Sequence, residues 1–171
     1  MAERPLEIKI HTHPLALVQD PDRVRGAQRG ELMHSALFFL DHGVGREDIE
    51  QAILRAFAFH GIEQVRWDME KDFLGPLWAA LSLPEVRPWF ARGVRNLREA
   101  EVMDAQGELL RIDRLIIDEE ALTVIDFKVA RREQGHWTQV ALYQGLVEAI
   151  FHRPAKGYLL YVDEPAVVAV P

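Results

Sequence analysis

The stretch that decides the fold runs from Gly107 to Lys128, G-E-L-L-R-I-D-R-L-I-I-D-E-E-A-L-T-V-I-D-F-K. Leu109-Leu110, Ile112, Leu115-Ile116-Ile117, Leu122, Val124-Ile125 and Phe127 make two apolar runs rich in β-branched residues, separated by the polar Asp118-Glu119-Glu120-Ala121. Such a pattern predicts a β-hairpin. With Glu119 and Glu120 at the tip, Ile117 faces Leu122, Leu115 faces Val124, and Asp113 faces Asp126. Opposed residues share a face of the sheet at roughly 5 Å, and Lys128, two residues past Asp126, points to that same face.

Two carboxylates so opposed repel each other, and their neighbours along both strands are apolar, so burying either alone is costly. A positive charge is therefore expected between them. Lys128 can supply it. A paired carboxylate is also a hard-oxygen site suited to Mg²⁺ or Mn²⁺, with the lysine beside it. The competing reading makes Asp113 and Asp126 ordinary strand ends, with Arg111, Arg114 and Lys128 as surface partners.

Outward from the hairpin, Val94 to Met103 reads as a strand leading into it. A helix is expected over Glu133 to Phe151, with Val140, Tyr143, Val147, Ile150 and Phe151 in its apolar stripe and Gln139 and Tyr143 one turn apart on one face. Strands follow at Lys156 to Asp163 and Val167 to Val170. Upstream, Arg25 to Leu40 is helical in pattern, with Met33, Leu37 and Leu40 on one face, and Glu47 to His60 is an amphipathic helix turning Ile49, Ile53, Phe57 and the Ala52/Ala56 pair inward, closed by Gly61. Further helical turns through Phe73, Leu77, Trp78 and Leu81 stop at S-L-P-E-V-R-P-W-F. Trp67, Trp78 and Trp89 read as core or cap residues. Residues 1–22, with three prolines, read as an extended arm carrying a short strand at Leu6 to Ile10, and 23–171 as a single domain.

Composition narrows the function. The chain has 171 residues, 49% of them hydrophobic, and no cysteine. That removes disulfides, a thiol nucleophile and any cysteine-ligated iron-sulfur cluster. It has neither an apolar run long enough to span a membrane nor a secretory signal, so a cytoplasmic protein without membrane contact is expected. A net charge of −7 argues against coating nucleic acid by bulk electrostatics, although Arg23, Arg25 and Arg29, Arg92, Arg95 and Arg98, and Arg131-Arg132 form local clusters. No Gly-rich phosphate loop or Walker motif is present, so no motor is encoded. His11-Thr12-His13 reads as a surface pair without an evident third ligand.

Ile112-Asp113-Arg114-Leu115, then Val124-Ile125-Asp126-Phe127-Lys128, with Gln139 and Tyr143 downstream, resemble the nuclease core of the PD-(D/E)XK superfamily, and most closely its RecB/AddA type. Arg29-Gly30-Glu31-Leu32-Met33-His34 resembles the R-G-x-x-x-H segment that opens those domains, and Arg98-Glu99 the R-E preceding their hairpin. The resemblance implies an α/β fold, a mixed central β-sheet flanked by helices in the restriction-endonuclease-like manner, with an N-terminal helical portion. It implies a divalent-metal-dependent deoxyribonuclease, an exonuclease of DNA repair or recombination, using Mg²⁺ or Mn²⁺ and acting on DNA beside a helicase domain or subunit. His34, Asp113, Asp126, the Phe127 carbonyl and Glu99 are the implied metal ligands. Lys128 is the implied catalytic lysine, with Gln139 and Tyr143 orienting it or the phosphate. For Glu99 a solvent-facing edge position remains the equal alternative, and Glu101 is the weaker candidate. A catalytically silent DNA-binding or scaffolding module on the same fold is the functional alternative. An unrelated α/β protein would instead show a closed Asp113–Lys128 pair and no metal affinity.

Overall fold

In a computed structural model of the chain, residues 21–129 and 135–171 are described. The expected arm up to residue 20, the His11-Thr12-His13 motif and Arg131-Arg132 lie outside the described residues. The first helix, α1, spans Pro21–Phe39 and so begins before Arg25, taking in the last two residues assigned to the arm. Proline at the first helical position loses no intrahelical hydrogen bond, and Asp22 in the first turn suits the helix dipole.

Leu32, Met33, Ala36, Leu37 and Leu40 are buried, so the expected apolar face of α1 is its core face. The second helix, α2, spans Arg46–His60 and buries Ile49, Ala52, Ile53, Ala56 and Phe57. It ends at Gly61, whose φ of 62° is a left-handed conformation that glycine adopts without strain. A π-helical turn at Glu70–Leu74 runs into α3, Gly75–Leu81. Pro76 has no N–H for the Asp72 carbonyl, and Arg29 Nε donates to that oxygen instead at 2.8 Å. Trp89 is buried, and Trp67 and Trp78 pack half-buried against the same core.

The strands are β1 (Asn96–Met103), β2 (Leu109–Ile117), β3 (Leu122–Lys128), β4 (Ala155–Tyr161) and β5 (Ala166–Val170), with α4 (His136–Phe151) between β3 and β4. They form one sheet in the order β1-β2-β3-β4-β5. The β3–β4 pair is parallel and the others are antiparallel. This is the expected mixed sheet flanked by helices. Its helical side holds α1, α2 and α3 with Ile125, Phe127, Leu160 and Val162. The other side holds α4 with Leu115, Leu122, Val124, Leu159 and Tyr161. β3 is thus apolar on both faces, as a central strand covered on two sides must be.

The hairpin register is the expected one, Ile117 opposite Leu122 and Leu115 opposite Val124, but the paired ladder ends at Arg114–Ile125. Asp113 and Asp126 are therefore not a ladder pair; Asp126 pairs with Leu159 of β4. Asp113 has no ladder partner on β1 either, because Glu99, which stands opposite it, has φ of 52°. The faces exchange at the same point: Val102, Leu110 and Ile112 lie on the α4 side before it, and Leu115 and Ile117 after it. Regular alternation would separate these two sets. The break releases Asp113 and Glu99 from pairing and opens the sheet where α1 passes it.

Arg114 faces the helical side and is fully buried. Its guanidinium donates to the carbonyls of Leu37, Leu40 and Asp41 and lies 4.1 Å from the centre of the Phe90 ring. A cation bonded to the last carbonyls of α1 suits the negative end of that helix. Burial, with Arg98 nearby, lowers its pKa to about 10, which leaves it charged at neutral pH.

Candidate active site

A cleft of about 730 Å³ opens where α1, the β1–β2 break, the end of β3 and α4 meet. His34, Glu99, Asp113, Asp126, Lys128, Gln139 and Tyr143 all line it. These residues come from five elements and span more than a hundred positions of sequence. Phe127 does not line the cleft: its side chain is buried on the helical side, and its backbone N–H donates to Asp113 Oδ2 at 2.8 Å.

Asp126 lies almost wholly buried, and Lys128 Nζ sits 2.7 Å from its Oδ2. The direction of approach is poor for a hydrogen bond, so Oδ2 is a buried carboxylate oxygen without a hydrogen-bond donor. Lys128 Nζ donates to Gln139 Oε1 at 3.2 Å, and Gln139 Nε2 donates to the Tyr143 hydroxyl at 2.6 Å. One helical turn of α4 therefore holds the lysine in place. Burial pushes the Tyr143 hydroxyl up from its ordinary pKa, so it stays protonated.

The Asp113 carboxyl is raised to about 7, first by burial and then by repulsion from Asp126, against the opposing hydrogen bond from Phe127. His34 Nδ1 lies 3.6 Å from Asp113 Oδ2. Burial lowers the imidazole pKa, outweighing the pull of Asp126, and Lys128 and Arg111 lower it further. A neutral imidazole keeps a lone pair for a ligand. Glu99 Oε2 forms an ion pair with Arg111 Nε at 2.6 Å, whereas Glu101 stands outside the cleft. The positive charge expected beside the carboxylates is present, but on Asp126 and not between the two. The closed Asp113–Lys128 pair of the unrelated-protein reading does not form.

Among the described residues, no three His, Asp or Glu side chains are arranged to hold a metal ion as they stand. The donor chemistry nonetheless fits a hard divalent cation. Asp126 presents a buried oxygen that no hydrogen-bond donor reaches, burial and Asp126 raise the Asp113 carboxyl, and burial lowers the His34 imidazole. Lys128 supplies the charge that such a cation would bring.

Glu31, Ser35, Phe38, Phe59, His60 and Arg111 also line the cleft. Glu31, Ser35 and Phe38 flank His34 in helical spacing along one face of α1, a signal that could have been read once His34 was singled out. Phe59 and His60 sit at the far end of α2, and nothing local marks them. Two arginines of the first cluster are engaged elsewhere, Arg25 with Asp72 and Arg29 with Asp163. Arg98 donates to the Phe38 carbonyl.

Sheet and cleft together define an α/β protein with a carboxylate-lysine site at a break in its sheet. Residues 10–169 match the family model of the PD-(D/E)XK nuclease superfamily. The chain belongs to that superfamily. The chain is also similar to the solved structure titled "Crystal structure of SSO0001", at 22% identity and a TM-score of 0.35, covering 80% of this chain. The chain spans 65% of that protein's length. No curated protein matches it. Among the described residues no helix is long and apolar enough to cross a membrane.

Proposed function

We propose that the protein is a divalent-metal-dependent deoxyribonuclease, acting as an exonuclease in DNA repair or recombination within a RecB/AddA-like helicase–nuclease. The observation that carries this reading is the convergence of Asp113, Asp126, Lys128 and His34 on one cleft. His34 comes from the R-G-x-x-x-H resemblance, and its place beside Asp113 supports the RecB/AddA assignment over the wider superfamily.

Asp113, Asp126 and His34 would hold Mg²⁺ or Mn²⁺, with Glu99 and the Phe127 carbonyl as further oxygen donors. The ion supplies Lewis-acid charge and lowers the pKa of water at the phosphate. Lys128, released from Asp126, donates to a non-bridging phosphate oxygen and orients the attacking water. Gln139 keeps the ammonium directed into the cleft, and Tyr143, protonated, holds Gln139. A silent DNA-binding module is the second reading, favoured by the closed Asp126–Lys128 pair.

Cleavage of end-labelled single- and double-stranded DNA with Mg²⁺ or Mn²⁺ separates the two. The nuclease reading expects products that disappear with EDTA and in Asp126→Ala, released from an end as mononucleotides or short fragments. Intact substrate under all conditions, with DNA still bound, would establish the silent module.

A further inference from the structure

The cleft has a second wall that the carboxylate chemistry does not use. Phe59, at the end of α2, is 72% exposed, and Phe38, on α1, is also exposed. Both line the cleft that holds Asp113, Asp126 and Lys128. Phe39 stands between them, edge-to-face with Phe38 at 5.3 Å and with Phe59 at 5.9 Å. Single exposed apolar residues are ordinary on protein surfaces. Two aromatic rings continuous with a polar, charged cleft are a different arrangement.

The rings are also anchored. His60 packs edge-to-face on Phe59 at 5.2 Å, and its Nε2 is 2.8 Å from Ser35 Oγ, which ties the end of α2 to α1. The Arg98 guanidinium lies 5.3 Å from the centre of the Phe38 ring. A solvent-facing aromatic shelf in the same cleft as Lys128 suits a flat ring joined to an anion. A nucleobase and its phosphate have those properties. Bases inside a duplex keep both faces covered by their neighbours, whereas an unpaired base is free to take the shelf.

We propose that Phe59 and Phe38 form a base-stacking site for an unpaired nucleotide flanking the phosphate in the cleft, so that the substrate strand enters single-stranded. The inference rests on the nuclease reading for the position of the phosphate, and its test does not require cleavage. Binding is measured by fluorescence anisotropy in EDTA, with a labelled oligothymidylate and a labelled strand of equal length and charge whose sugars carry no bases.

The native chain is expected to bind the base-bearing strand about tenfold more tightly than the abasic one, the scale of one stacked base. Phe59→Ala, at an exposed position, removes that preference and leaves abasic binding unchanged, while Phe59→Trp restores it. Equal binding of both strands by the native chain, or a preference that survives Phe59→Ala and Phe38→Ala, overturns the site. Failure of the nuclease reading would appear separately, as absence of cleavage with Mn²⁺ while the base preference persists.

Discussion

Replacing Asp113 by asparagine should make the metal-free protein more stable at pH 8 and leave it nearly unchanged at pH 4. An unfolded aspartate loses its proton near 3.8, whereas Asp113 in the folded chain holds its proton to about 7. The folded state therefore binds more protons between those values, and stability falls as pH rises through that window. Below it both states are protonated and no penalty exists; above it the full penalty stands. At about 1.4 kcal/mol per pH unit, the ionised carboxylate costs on the order of 4 kcal/mol. Asparagine removes that charge and keeps an oxygen for the Phe127 N–H. Burial, Asp126, Lys128 and Arg111, which shift His34, remain in the variant, so the native-minus-variant difference reports Asp113 together with its coupling to Asp126 and His34. Urea unfolding in EDTA at the two pH values measures it, and near pH 8 the variant should melt roughly 10 °C higher. Adding Mn²⁺ at pH 8 should stabilise the native chain and narrow the gap. A variant no more stable than the native chain at pH 8, or equally more stable at both pH values, would refute the electrostatic account of the pair.

Lys128→Met leaves the buried Asp126 oxygen without its neutralising charge; it should cost about 3 kcal/mol in metal-free unfolding and lower the cleavage rate roughly 10² to 10³-fold. Gln139→Ala frees the lysine from α4 and should lower kcat with little change in KM, and Tyr143→Phe should do the same more weakly, both read from initial rates of DNA cleavage. At Gly157 an added Cβ would lie 2.6 Å from Val140 Cγ1 and 2.4 Å from Gln144 Oε1, so Gly157→Ala should push α4 from the sheet and cost about 1–3 kcal/mol in denaturant melts. Arg114→Met strands the carbonyls at the end of α1 and should destabilise by about 2–4 kcal/mol, seen as a lower urea midpoint.

Periodicity and chemistry made most of the scaffold legible. The apolar faces of α1 and α2 and the hairpin register follow from side-chain spacing, because burial imposes a period of 3.6 or 2 wherever one face is covered. Regular alternation also predicted Asp113 opposite Asp126. There the rule failed, since Glu99 enters a left-handed conformation and both strands exchange faces at that point. No residue type announces such a break: Glu99 is neither glycine nor asparagine. The partner of Lys128 was likewise open, because strand parity places it near both aspartates and only the packing of Gln139 on α4 selects Asp126. Phe59 was unreadable for another reason. Its place in the cleft depends on how the ends of α1 and α2 meet, which the Ser35–His60 contact fixes across 25 residues of sequence.

The central claim is that Asp113, Asp126 and His34 form a divalent-cation site. It is tested most directly by titrating the protein with Mn²⁺ and following free ion by electron paramagnetic resonance, in the native chain and in Asp126→Asn. The account predicts saturable binding by the native chain that is lost or greatly weakened in Asp126→Asn, with both proteins folded by circular dichroism. Absence of saturable binding in the native chain, or binding equal in the two proteins, would contradict it.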